Sequence, residues 1–197
     1  GQGAVKADAG VTVIKATTIG FNKYTADGNG GNNSLNELQL GAAATTVTGD
    51  FKNTSGTNLV GIIGVNGGNN VKIVGNIGEA GVNGSIKAIR FDSDIELAIE
   101  QAGALKLYVG DIYSNGGTRG KLTIKANAGD ILTNIGQNGN ALTSFTIMQD
   151  AAGAGITTLT LKGDADETKA KHIYATDTVL AVVAAKNNVL VLEANTG

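Results

Sequence analysis

A right-handed parallel β-helix, a β-solenoid with degenerate coils, is the fold that the sequence predicts for residues 1–197 as a single all-β domain. Three observations carry it. One polar-glycine turn recurs between short apolar runs, those runs alternate apolar with polar residues, and no proline interrupts them. A turn and a strand that recur together mark a chain that stacks one unit many times.

The turn Asn29-Gly30-Gly31-Asn32-Asn33 returns letter for letter as Asn66-Gly67-Gly68-Asn69-Asn70, with a relative at Asn115-Gly116-Gly117-Thr118. Each leads into an apolar segment: Leu35 to Leu40, Val71 to Val74, Leu122 to Ile124. Period-two alternation over Ile95-Glu96-Leu97-Ala98-Ile99, Leu105-Lys106-Leu107-Tyr108-Val109 and Phe145-Thr146-Ile147 predicts strands with one buried face. Val60 to Val65, Val179 to Val183 and Val189 to Leu192 are apolar on both faces. They fit strands covered on both sides or placed at an end of the structure.

A second glycine step separates these runs. Gly49-Asp50, Gly75-Asn76, Gly110-Asp111, Gly129-Asp130 and Gly163-Asp164 pair a residue free to take positive φ with one that hydrogen-bonds nearby backbone. Each reads as a sharp corner. Their irregular spacing suits coils with several sides and loops of variable length. Coils of roughly 20 to 25 residues would number about eight or nine and stand roughly 40 Å tall. The absence of proline agrees, because every interior strand must donate its N–H groups to a neighbouring coil.

The alternative is a β-sandwich, since the Asn-Gly pairs at Asn66, Asn83, Asn115 and Asn138 also suit hairpins. Ser34-Leu35-Asn36-Glu37 and Ser93-Asp94-Ile95-Glu96 match a helix capping box. Gly41 and the period-two run from Ile95 oppose both, so one short helix or none is expected.

Composition narrows the function. Charged residues are 16% against the ~25% usual for soluble domains, and Thr and Asn furnish the surface instead. Such a surface is typical of extracellular β-rich proteins. Net charge is -2, and the lysines at Lys15, Lys72, Lys87 and Lys125 are scattered singly, so no nucleic-acid partner is expected. Lys162, Lys169 and Lys171 alternate with Asp164, Asp166 and Glu167 and read as solvated charges. Without cysteine there are no disulfides, thiolate metal sites or cysteine nucleophiles. No apolar run approaches ~20 residues, so membrane attachment would need an anchor domain outside these residues.

The segment Val71-Lys72-Ile73-Val74-Gly75-Asn76-Ile77-Gly78, continuing to Ile86-Lys87-Ala88-Ile89-Arg90-Phe91, resembles the passenger repeats of rickettsial surface antigens. These are large autotransporters of the outer membrane protein A and B type. Thr45-Thr46-Val47-Thr48-Gly49-Asp50-Phe51 and Leu159-Thr160-Leu161-Lys162-Gly163-Asp164 are similar in style. The resemblance implies a passenger fragment at a bacterial cell surface, made in one chain with a signal segment and a membrane barrel.

Chemical motifs are sparse. Parallel solenoids include polysaccharide lyases and hydrolases, which need clustered acids on adjacent coils. Asp92 with Asp94, and Asp164 with Asp166 and Glu167, are the candidates. In an extended strand Asp92 and Asp94 would point the same way. The plainer reading is a turn with two solvated acids, with Arg90 nearby but in no catalytic pattern. His172, the only histidine, lies downstream of those acids without a zinc-ligand spacing, and no Gly-x-Ser-x-Gly elbow accompanies it. Gly30-Gly31-Asn32-Asn33-Ser34-Leu35 and Gly67-Gly68-Asn69-Asn70-Val71 depart from the calcium-binding Gly-Gly-x-Gly-x-Asp repeat. Tandem calcium sites are therefore not expected, and a single bound ion is left open. No glycine loop carries Gly-Lys-Ser/Thr for a phosphate.

The sequence thus predicts no catalytic, cofactor-binding or metal-binding residue. The function expected is a non-enzymatic extracellular surface protein, an adhesin or structural scaffold. Its partners would be a host or neighbouring cell-surface protein or glycan. A self-assembling surface-layer or filament subunit, associating through solenoid ends, is the first alternative. A polysaccharide-active β-helix enzyme is the second.

Overall fold

The computed structural model describes residues 4–6, 11–22, 37–42, 45–57, 59–81, 83–148, 157–162, 171–181 and 188–192. Among them every secondary-structure element is a strand: β1 (Ala4–Lys6), β2 (Val13–Phe21), β3 (Glu37–Leu40), β4 (Thr45–Asn53), β5 (Val60–Val65), β6 (Val71–Val74) and β7 (Ile86–Phe91). The long β8 (Glu96–Ser114) and β9 (Lys121–Ile135) follow, then β10 (Leu142–Met148), β11 (Thr157–Leu161), β12 (Ala175–Ala181) and β13 (Asn188–Leu192).

The chain winds as a right-handed parallel β-solenoid with three faces. Face one stacks β1, β3, β5, β7 and the end of β8. Face two stacks β2, β4, β6, β8, β9, β10 and β12. Face three is built from the later parts of β2, β4, β8 and β9, with Ile77, β11 and β13. Among the described residues every pairing between strands is parallel, which is the stacking of a solenoid and not of a β-sandwich. The hairpin signal survives at one place among the described residues, the antiparallel bridge from Gln137 to Asn140 around Asn138-Gly139. Neither capping box starts a described helix: Glu37 opens β3, Ser93 lies in a bend and Glu96 opens β8. Ser34 lies outside the described residues.

Val13, Thr46, Lys72, Ala98, Thr123, Thr146 and Val179 form one column on face two. Successive tiers are therefore 33, 26, 26, 25, 23 and 33 residues apart. Among the described residues this column counts seven tiers, where eight or nine coils were expected for the chain, and spans about 30 Å at the usual strand spacing. The expected coil of roughly 20 to 25 residues is close to the spacing in the middle of the stack, while the first and last steps are 33 residues long.

Inside, aliphatic columns repeat the tier spacing. Val47, Ile73, Ile99, Ile124 and Ile147 stack from face two, and Ile63, Ile89, Ile112 and Ile135 from face one. All nine are fully buried. Each such side chain contributes roughly 1.5–3 kcal/mol by leaving water, and β-branched chains suit the pleat. Phe51, Leu107 and Ile131 fill the column from face three, where the rings of Phe21 and Phe51 stack 6.1 Å apart.

The Gly-Asp and Gly-Asn steps resolve into two different corners. Gly49, Gly75 and Gly129 all turn the chain between faces two and three, with φ of 143°, 150° and 153°. A Cβ at Gly75 would lie 2.4 Å from the Gly49 carbonyl oxygen, so the tiers touch backbone to backbone there. Gly110 turns between faces three and one instead, and the fourth tier crosses the first corner without the motif. Mixing two corners and skipping one tier makes a regular structure look irregular in sequence. Gly163-Asp164 lies outside the described residues.

Candidate functional site

Polar side chains collect at the corner between faces one and two. Asn66, Asp92 and Asn115 each follow the end of a face-one strand. Their backbone N–H groups donate to Leu40, Val65 and Phe91 respectively, so they form one more column. Asp92 is thus the fourth tier's counterpart of the recurring Asn-Gly turn. Asn115 Nδ2 donates to Asp92 Oδ1 at 2.6 Å, and Ser93 Oγ donates to Asn66 Oδ1 at 3.1 Å. Arg119 Nη1 donates to the Asp92 carbonyl at 2.9 Å.

Arg90 is the hub of this corner. Its Nε and Nη2 grip Asp92 at 3.0 and 2.8 Å. Nη2 and Nη1 also reach Glu37 on β3, at 2.9 and 3.3 Å. Glu37 is two tiers away; in the intervening tier the register sets Gly64 between Gln39 and Arg90, and the Glu37 carboxylate reaches across this glycine. Gln39 Nε2 donates to Glu37 Oε1 at 2.9 Å. The side chains of Arg90, Asp92 and Glu37 are 19%, 14% and 9% exposed, so the group is largely withdrawn from water. The hydrogen bond to Asp92 raises the Arg90 pKa further and keeps it charged.

Asp94 turns to a different set. Its Oδ1 accepts from the Gly120 N–H at 2.9 Å and the Thr143 hydroxyl at 2.7 Å, linking three tiers. The Thr143 hydrogen bond, helped by the Gly120 N–H and the charges of Lys121 and Arg119, holds its carboxyl below the usual range against partial burial. Asp92 and Asp94 sit in a bend rather than an extended strand, and each serves separate partners. They do not form a two-carboxylate pair. Asp92 is also not the solvated acid expected, because Arg90 draws it against the sheet.

At the corner between faces two and three, Asp50 Oδ1 accepts from the Asn76 N–H at 2.8 Å. Asn76 Oδ1 accepts from the Lys106 N–H at 2.9 Å. Lys52 pairs with Glu79 beside them, and the hydrogen bond to Glu79 raises the lysine pKa. Asp50, Lys52, Asn76, Glu79 and Lys106 line an open groove of about 390 Å³. It offers mixed charge and hydrogen-bonding groups, a surface suited to polar ligands.

His172 packs edge-on against Tyr174, ring centroids 4.7 Å apart, and its carbonyl accepts from the Ile135 N–H. Among the described residues no group of three or more His, Cys, Asp or Glu side chains is placed to hold a metal ion. Lys162 pairs with Asp130 at 3.0 Å. Asp164, Asp166, Glu167 and Lys169 lie outside the described residues. Glu37 is the member of the Arg90 cluster that sequence reasoning missed as a partner. Only knowledge of the register puts residues 53 positions apart side by side.

Searches of protein-family models, curated proteins and solved structures return no match to this chain.

Proposed function

We propose that the chain is a non-enzymatic extracellular scaffold, a β-solenoid passenger segment that presents polar loops and faces at a bacterial cell surface. Its partners are a protein or glycan of a host or neighbouring cell. The observation that carries this reading is the employment of the corner acids. Asp50, Asp92 and Asp94 each hydrogen-bond a residue of the next tier, so their carboxylates brace the ladder. A scaffold needs bracing of this kind, and it needs variable loops at fixed heights along a rigid stack. The likeness of Val71 to Gly78 to rickettsial-type passenger repeats points the same way.

The reading is tested on the gene and on the protein. A run of ~10-residue alternating strands downstream, forming an outer-membrane barrel, supports it, and a gene without one overturns it. Beads coated with the chain are expected to bind cells or cell-surface glycans. Cleavage of a polysaccharide by the chain, abolished by Asp92→Ala or Asp94→Ala, would replace the scaffold with the enzyme.

A further inference from the structure

An asparagine side-chain amide is open to attack by the next backbone nitrogen when glycine follows, because glycine adds no Cβ to crowd the approach. Five such pairs occur, at Asn29, Asn66, Asn83, Asn115 and Asn138, and Asn29 lies outside the described residues. Asn66 lies in the exposed turn after β5. Ser93, in the next tier, reaches both of its reacting groups. The Gly67 N–H donates to Ser93 Oγ at 3.1 Å, and the Ser93 hydroxyl donates to Asn66 Oδ1 at 3.1 Å. One hydroxyl thus accepts from the nitrogen that would attack and donates to the oxygen that would gain negative charge. The other described pairs differ. Asn115 gives its Nδ2 to the Asp92 carboxylate at 2.6 Å, whose charge opposes negative charge on the same amide. The Gly84 N–H donates to the Gly81 carbonyl at 3.2 Å, so the nitrogen after Asn83 is engaged. Asn138 and Gly139 sit between Gln137 and Asn140, whose backbones bond each other in both directions and hold the turn.

We propose that Asn66-Gly67 is a self-modifying site, at which Ser93 of the neighbouring tier promotes conversion of the asparagine to aspartate and isoaspartate. The Gly67 nitrogen attacks Asn66 Cγ and a C–N bond forms. Its proton passes to Ser93 Oγ while the Ser93 proton moves to Oδ1, leaving a neutral tetrahedral intermediate. The Cγ–Nδ2 bond then breaks, and the hydroxyl proton departs with the amide as ammonia to leave a cyclic imide. Solvent water opens that ring at either carbonyl, at Cγ to give aspartate or at the main-chain carbon to give isoaspartate. Each conversion adds a negative charge to the corner. Asp92 occupies the same column one tier on, so this corner accepts a carboxylate. Residue 66 follows the end of β5, so the extra backbone atom of isoaspartate lengthens a turn rather than a strand. Asn66 and Ser93 are 27 residues apart, and only the stacked tiers bring them together. The proposal goes beyond the scaffold reading and does not depend on what the chain binds.

Ageing the purified 197-residue chain in mildly alkaline buffer, with peptide mapping by mass spectrometry at intervals, provides the test. Asn66 is expected to convert ahead of Asn83, Asn115 and Asn138, taking up heavy oxygen from labelled water. Ser93→Ala is expected to slow conversion at Asn66 roughly tenfold, a smaller effect than at a buried oxyanion site because water competes at this exposed corner. The other three pairs should keep their rates. Ser93→Thr retains a hydroxyl and should retain most of the Asn66 rate. Ser93 lies in a bend outside the strands, so circular dichroism of both variants should match wild type. In urea the lead of Asn66 should vanish, because unfolding removes the neighbouring tier, and this comparison needs no variant. A Ser93→Ala chain whose Asn66 converts at the wild-type rate or faster overturns the proposal, since the hydroxyl would then be idle or protective. So does another Asn-Gly pair converting before Asn66, or an Asn66 lead that persists in urea.

Discussion

Arg90 and Glu37 meet across two tiers, with Nη2 2.9 Å from Oε1, because the tier between them carries Gly64. A Cβ at that glycine would stand 2.6 Å from Glu37 Oε1. The missing side chain is therefore what lets the guanidinium join β3 to β7.

Gly64→Ala is expected to push the carboxylate aside and cost about 1–3 kcal/mol, the value of a partly buried charged hydrogen bond. Glu37→Gln should cost a similar amount, and the two changes should be strongly non-additive in a double-mutant cycle by urea unfolding. Additive losses would mean that Gly64 serves something other than this pair.

Gly75→Ala tests the corner between faces two and three. Its Cβ would meet the Gly49 carbonyl oxygen at 2.4 Å on a backbone with φ of 150°. The loss should exceed about 2 kcal/mol, well above that of Gly116→Ala, where no atom lies within 4 Å and only backbone strain applies. Thermal unfolding of both variants makes the comparison.

Ser114 replaces the bulk of the column formed by Leu40, Val65 and Phe91, and its buried Oγ has no hydrogen-bond partner. Ser114→Ala should be neutral or stabilising by up to ~1 kcal/mol, since it removes an unpaired hydroxyl and little volume. A measured loss of more than that would reveal a partner for the hydroxyl.

Acid should loosen the tiers that Asp94 links. Its folded pKa lies below its unfolded value, so its contribution is present above the ordinary carboxylate pKa of about 3.9 and is lost as pH falls through the folded value. Asp94→Asn should be less stable than wild type at neutral pH and should flatten the stability curve below about pH 4. Thr143→Ala should shift the acid limb in the same sense.

Alkali should act through Tyr108 and Tyr113. Burial raises both phenols, and the Asp130 charge adds to the effect at Tyr108. A folded pKa above the unfolded one gives stability that is intact below about pH 10 and is lost as pH rises through the folded value. Tyr108→Phe is expected to weaken that alkaline loss, as read from melting temperatures on either side of pH 10.

The amino-acid sequence by itself determined that the chain is a ladder of short strands. The alternation at Ile95 to Ile99, the glycine corners and the lack of proline are local properties, and local backbone preferences make turns and strands without reference to the rest of the fold. It also marked Val179 to Val183 and Val189 to Leu192 as runs apolar on both faces. Register belonged to the tertiary structure. Whether Gly110 shares a corner with Gly75, how many tiers form, and which acid meets which cation all depend on loop lengths between faces, and loop length carries almost no energetic signature in sequence. Asp92 and Asp94 looked like a pair because they are two residues apart. A bend separated them, giving one to Arg90 and the other to Gly120 and Thr143, since buried corner groups must satisfy backbone and charge in the tiers beside them.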